Sequence, residues 1–145
     1  MNTLYIDTEF NGFNGQLISM ALVSEHGEEF YEVLQCKDPV TWVAQHVMPF
    51  LEKDAITFNM FQSKLQQFLY TYKEIKIVAD WPDDIKYFCE SLIVSPGEAI
   101  NHPPITFVLD RALSSNDSKV PHNALHDARA IADQHMSTTV AGLLK

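Results

Sequence analysis

The chain has 145 residues, 46% hydrophobic and 11% aromatic, the make-up of a single globular domain with a sizeable core. Ten Lys and Arg against nineteen Asp and Glu give a formal net charge of -9. That argues against a broad basic surface clamping long duplexes, but leaves nucleic acid open wherever bound cations would cancel carboxylate charge. Cys36 and Cys89 lie far apart, no basic leader precedes an apolar signal core, and no apolar run reaches the roughly 18 to 20 residues of a membrane span. A soluble cytoplasmic protein with reduced thiols and no membrane partner is expected.

The first element is the apolar run Leu4 to Ile6, which ends in Asp7-Thr8-Glu9. Successive strand side chains point to opposite faces, so Asp7 and Glu9 project together at the carboxyl end of a buried strand. Their mutual repulsion is relieved by protonating one of them or by binding a hard cation such as Mg2+ or Mn2+. A strand ending in a solvated acidic turn is the plainer alternative. Phe10 to Gly15 follows with two glycines and two asparagines, a turn that nevertheless displays Phe10 and Phe13. Gln16 to Ser24 and Glu28 to Leu34 read as β-segments joined by Glu25-His26-Gly27, so the first three strands form an antiparallel meander.

Asp38-Pro39 reads as an N-cap and first helical proline before Val40, Val43, Val47 and Leu51, a helix interrupted near Pro49. A second helix is expected from about Met60 to Tyr72, burying Phe61, Leu65, Phe68, Leu69 and Tyr72. Ile75 to Ala79 is a short buried strand. It runs into the acidic turn Asp80-Trp81-Pro82-Asp83-Asp84 and a helix carrying Ile85, Phe88, Cys89 and Leu92. Ser95-Pro96-Gly97 and His102-Pro103-Pro104 mark loops, Ile105 to Leu109 a fifth strand ending at Asp110, and Ser114 to Lys119 a mobile polar surface loop. The last helix begins near His122 and buries Ala124, Leu125, Ala128, Ile131 and Ala132. The expected fold is α/β, a mixed five-stranded sheet flanked by helices, with Asp7, Glu9 and the acidic turn converging at the carboxyl ends of its central strands.

His122-Asn123-Ala124-Leu125-His126-Asp127 completes the set, with His122 at a frayed helix start and Asp127 about one turn further in. A fixed acid and a movable imidazole suit metal binding and proton transfer respectively. With Asp7-Thr8-Glu9 and an aspartate after the middle strand, this resembles the three motifs of the DEDD superfamily of 3'-5' exonucleases, in its histidine-containing branch. The third motif is close to the pattern of ribonuclease T, oligoribonuclease and small bacterial and phage exoribonuclease-like proteins, and the resemblance spans Leu4 to Ile131. It implies a ribonuclease H-like fold and two Mg2+ or Mn2+ ions held by Asp7, Glu9, Asp84 and Asp127, with His122 as general base and nucleoside 5'-monophosphates as products. Asp80 and Asp83 stay open as alternatives to Asp84. Gly12-Phe13 falls where the family wedges a bulky residue against the terminal bases, so Phe10 and Phe13 are the expected substrate contacts. The expected substrate is a single-stranded 3' end, RNA before DNA, and relatives are often dimers.

Other readings accompany these. His122 and His126 form a His-x-x-x-His pair that on a helix would bind zinc with Asp127. His26, His46, His102 and His135 stand without motifs, Trp42 and Trp81 read as packing residues, and Asp110 reads as a helix cap. Arg129 belongs to a salt bridge or to a substrate phosphate. A dinucleotide or small-phosphoester phosphodiesterase and a catalytically silent binding module are the rival functions.

Overall fold

In a computed structural model that describes residues 1–143, the apolar run near the amino terminus is the middle of a nine-residue strand, β1 (Asn2–Phe10). β2 (Leu17–Ser24) lies antiparallel to β1, and β3 (Glu29–Leu34) antiparallel to β2. The expected meander is present. Gly27 closes its second turn at a φ of +91°, which favours a residue without a Cβ.

The next helix departs from expectation. α1 (Thr41–His46) starts at Val40, without a side-chain cap, and a 3-10 turn (Met48–Phe50) follows it. Asp38 does not cap it. Asn11 does the corresponding work from the β1–β2 loop, accepting a hydrogen bond from the Val40 amide at 2.8 Å and donating to the Asp38 carbonyl at 2.9 Å. The start of α1 is thereby tied to the loop that follows Glu9.

A two-residue strand, β4 (Ala55–Ile56), pairs in parallel with β3 and makes the sheet six-stranded rather than five-stranded. Two residues carry too little periodicity to be read as a strand. α2 (Phe58–Tyr70) begins two residues earlier than expected because the Thr57 hydroxyl accepts from the Met60 amide and caps it. β5 (Ile75–Ala79) has the predicted bounds, and α3 (Pro82–Leu92) opens with proline in its first turn. A hairpin of β6 (Ile93–Ser95) and β7 (Glu98–Ala99) turns at Gly97, where only a loop was expected. β8 (Ile105–Leu109) and α4 (Ala124–Leu143) complete the chain.

The sheet order is β4-β3-β2-β1-β5-β8, with β5 parallel to β1 and β8 parallel to β5. On one face Leu4, Ile6, Met20, Leu22, Phe30 and Ile77 pack against Phe61, Leu65 and Leu69 of α2 and Phe88 and Leu92 of α3. On the other face Tyr5, Ala21, Val23 and Val78 meet Ala124, Ala128, Ile131 and Ala132 of α4. Alanines four residues apart leave no bulk between helix and sheet, so α4 lies close on β1 and β2. A third cluster, Ile18, Val33, Val43, Val47 and Leu51, seats α1 against the sheet. No helix among the described residues is long and apolar enough to cross a membrane.

Candidate metal centre

Four elements deliver carboxylates to one place. Alternation along β1 puts Asp7 and Glu9 on the α4 face, at the end where the parallel β5 also stops, with Asp80 the residue just beyond it. α4, drawn in by its alanine stripe, brings Asp127 in its first turn. α3 brings Asp84, in its own first turn. Carboxylate oxygens of Asp7, Glu9 and Asp127 all lie within 4.8 Å of one another, and so do those of Asp7, Asp80 and Asp84. The two groups share Asp7.

The last helix starts two residues after His122, where its beginning was expected. α4 begins at Ala124, and Asn123 is the residue that caps it, its Oδ1 accepting from the Leu125 and His126 amides at 3.0 and 3.1 Å. Asn123 is buried, and its Nδ2 also donates to the Phe50 carbonyl at 2.8 Å and the Leu51 carbonyl at 3.3 Å. His122 therefore stands one residue outside the cap, in a turn, with a left-handed φ of +68°.

Asp84 is fixed by a residue outside the motif's charged positions. Thr8, between Asp7 and Glu9 but facing the opposite side of the sheet, donates to Asp84 Oδ1 from its amide at 3.1 Å and from its hydroxyl at 2.6 Å. Asp83, one of the open alternatives, is turned away and accepts from the Trp81 indole at 2.9 Å. Asp80 and Asp84 both stand beside Asp7, so the sequence alternatives are not exclusive.

Burial and crowding disfavour the charged form of these acids. Burial first, and then the charges of Asp84, Glu9, Asp127 and Asp80, raise Asp7 well above the ordinary carboxylate range. Burial raises Glu9 to about 9, with Asp127 and Asp84 adding to it. Burial raises Asp84 to about 7, against the two Thr8 hydrogen bonds that favour its charged form. Asp80 and Asp127 are raised by burial as well, Asp127 being pulled back by the Ser118 hydroxyl and the His122 imidazole.

The donor set fits a hard divalent cation. Asp7 Oδ2 and Asp127 Oδ1 are fully buried yet have no hydrogen-bond partner, and a buried carboxylate oxygen left so is costly unless something positive meets it. Ser19, directly across the sheet from Glu9, likewise presents a buried hydroxyl without a partner. Ser118 was expected on a mobile surface loop. Its hydroxyl instead stands beside Asp127, a placement that no local pattern signals.

The remaining expected residues fall as follows. Phe13 is 92% exposed at the tip of the β1–β2 loop. A Cβ on Gly15 in that loop would lie 1.8 Å from the Asn11 carbonyl oxygen, so only glycine fits there. Phe10 is half-buried, its ring stacked on Tyr87 at 4.7 Å. His126 points to Glu52 at 3.4 Å instead of pairing with His122, and neither histidine joins the groups that could hold a metal. Arg129 forms a two-pronged ion pair with Glu29, at 2.5 and 2.8 Å. Asp110 caps a turn, not a helix, through the Ala112 amide. Trp42 and Trp81 are both about half exposed, not packed inside, Trp81 lying under the Arg111 guanidinium. A cleft of about 740 Å³, lined by Leu17, Leu34, Thr57, Phe58 and Tyr87 among others, includes none of the gathered carboxylates.

No protein-family model and no curated protein matches this chain.

Proposed function

We propose that the chain is a soluble cytoplasmic, metal-dependent 3'-5' exonuclease of the DEDD type, in its histidine-containing branch. It would shorten single-stranded nucleic acid, RNA in preference to DNA, to nucleoside 5'-monophosphates. The observation that carries this is the pair of three-carboxylate groups sharing Asp7, with buried, unpartnered oxygens on Asp7 and Asp127. The sheet order, an antiparallel meander extended by two parallel strands, supports the ribonuclease H-like architecture of that family.

In this reading Asp7, Glu9 and Asp127 would hold one Mg2+ or Mn2+ ion and Asp7, Asp80 and Asp84 would hold the other. Bound there, such cations would supply positive charge for the scissile phosphate and the departing 3'-oxygen and would acidify a water. Asp7 and Glu9 are held rigidly by the β1 ladder, and Asp84 by Thr8. His122, on a turn outside the α4 cap, accepts the proton of the attacking water. Phe13 offers its exposed ring to a terminal base, a stack worth roughly 1 to 3 kcal/mol and tolerant of sequence. Phe10, stacked on Tyr87, backs the base of that loop.

A second reading has one observation in its favour. Arg129, the basic residue nearest the third motif, is already bound to Glu29. That suits short substrates, down to dinucleotides, which need few backbone contacts. Incubating 5'-labelled RNA and DNA oligomers with Mg2+, Mn2+ or EDTA, alongside Asp7→Ala and His122→Ala, separates the readings. The exonuclease produces a metal-dependent ladder shortening from the 3' end, lost in both variants. Cleavage of dinucleotides alone points to the phosphodiesterase. Equal activity in wild type and Asp7→Ala contradicts both.

A further inference from the structure

α1 is short, and Val43 and Val47 turn its inner side into the core. Trp42 and His46, four residues apart, therefore share an outer face. They are not loose surface residues. Their rings are nearly parallel at 4.7 Å and 20°, and His46 Nδ1 lies 2.9 Å from the Trp42 carbonyl oxygen. The Trp42 ring also meets the His122 ring at 5.0 Å and 81°, an edge-to-face arrangement, with His46 at 6.4 Å from His122.

His122 needs such a support. It lies outside the first turn of α4, on left-handed backbone, so the helix does not orient its imidazole. Asn123 brings the two parts together. By gripping the Phe50 and Leu51 carbonyls, it fastens the segment following α1 to the start of α4, and so sets Trp42 against His122.

We propose that Trp42, braced by His46, is a positioning residue for the His122 imidazole, holding it in the orientation from which it takes a proton. The proposal rests on His122 acting as general base in the reaction proposed above. Trp42 is 51% exposed, so its removal leaves the core intact. A misplaced base loses rate more than substrate affinity, and a displacement of about 1 Å can cost roughly 100-fold.

The test combines steady-state kinetics on a labelled RNA oligomer with NMR of the His122 ring, its Hε1 signal assigned by its loss in His122→Gln. In Trp42→Ala, kcat should fall roughly 10- to 100-fold while KM stays within about threefold, and Trp42→Phe should recover most of the rate. The His122 signal should lose the ring-current shift imposed by the indole. An unchanged kcat overturns the proposal, as does a raised KM alone, which would make Trp42 a substrate contact. The NMR arm stands apart from activity. If wild type cleaves nothing, the exonuclease reading fails, and a His122 signal indifferent to Trp42→Ala separately rejects the seat.

Discussion

Thr8 stands between the two acids of the first motif and faces away from them, yet both of its donors end on Asp84 Oδ1. Its hydroxyl orients a carboxylate that would ligate a cation, and such supporting contacts commonly govern affinity by 10- to 100-fold. Thr8→Val should therefore raise the Mn2+ concentration for half-maximal activity roughly tenfold or more, and Thr8→Ser should restore it. Equal Mn2+ dependence in Thr8→Val and wild type would show that Asp84 needs no such anchor. The same contact explains why the third aspartate was ambiguous in the sequence. Asp80, Asp83 and Asp84 differ only in which partner each meets: Asp7, the Trp81 indole, or Thr8 together with Asp7. Those partners come from distant positions or from the phase of α3, and no spacing rule contains them.

At the level of elements, Asn123 joins two pieces that the chain separates by about seventy residues. It caps α4 with its oxygen and binds the Phe50 and Leu51 carbonyls with its nitrogen. Asn123→Ala removes the cap and leaves buried carbonyls with fewer donors, a combined loss of about 2 kcal/mol or more. Urea unfolding should show that loss, while Asn123→Ser should keep the cap and lose the grip on the carbonyls. A difference of less than about 0.5 kcal/mol for Asn123→Ala would place the junction elsewhere. Elements with strong periodicity were legible: the meander, β5, β8 and the buried faces of α2 and α4 match their patterns. The misses share a cause. β4 is two residues long and exists through pairing with β3, and α1 is started by Asn11 from another loop, not by Asp38. Long-range partners decided what local chemistry did not.

For the whole molecule, the acids gathered at the end of β1 should make folding depend on pH and on added cations. Glu9 keeps its proton up to about 9 and Asp84 up to about 7, with Asp7, Asp80 and Asp127 also raised. In the unfolded chain the same groups release protons near 4. The folded state then binds more protons than the unfolded state between those limits, so stability falls as pH rises through them. Without metal, the melting temperature should drop by several degrees from pH 5 to pH 8, each kcal/mol being worth about 4 °C at this size. Mn2+ should restore it, with a larger increment at pH 8 than at pH 5, since cations bind the deprotonated acids. A metal-free melting temperature that climbs over the same range would mean that the acids are already paired. The formal charge of -9 read alone argued only against a basic clamp, whereas the fold gathers five of the acids at one strand end.

The central claim is that Asp7 sits at the junction of two cation sites, and calorimetric titration of the metal-free protein with Mn2+ tests it most directly. Two ions should bind per chain in wild type, and Asp7→Asn should lose both, while Glu9→Gln and Asp80→Asn each weaken one. Binding of two ions by Asp7→Asn, or none by wild type, would contradict the account.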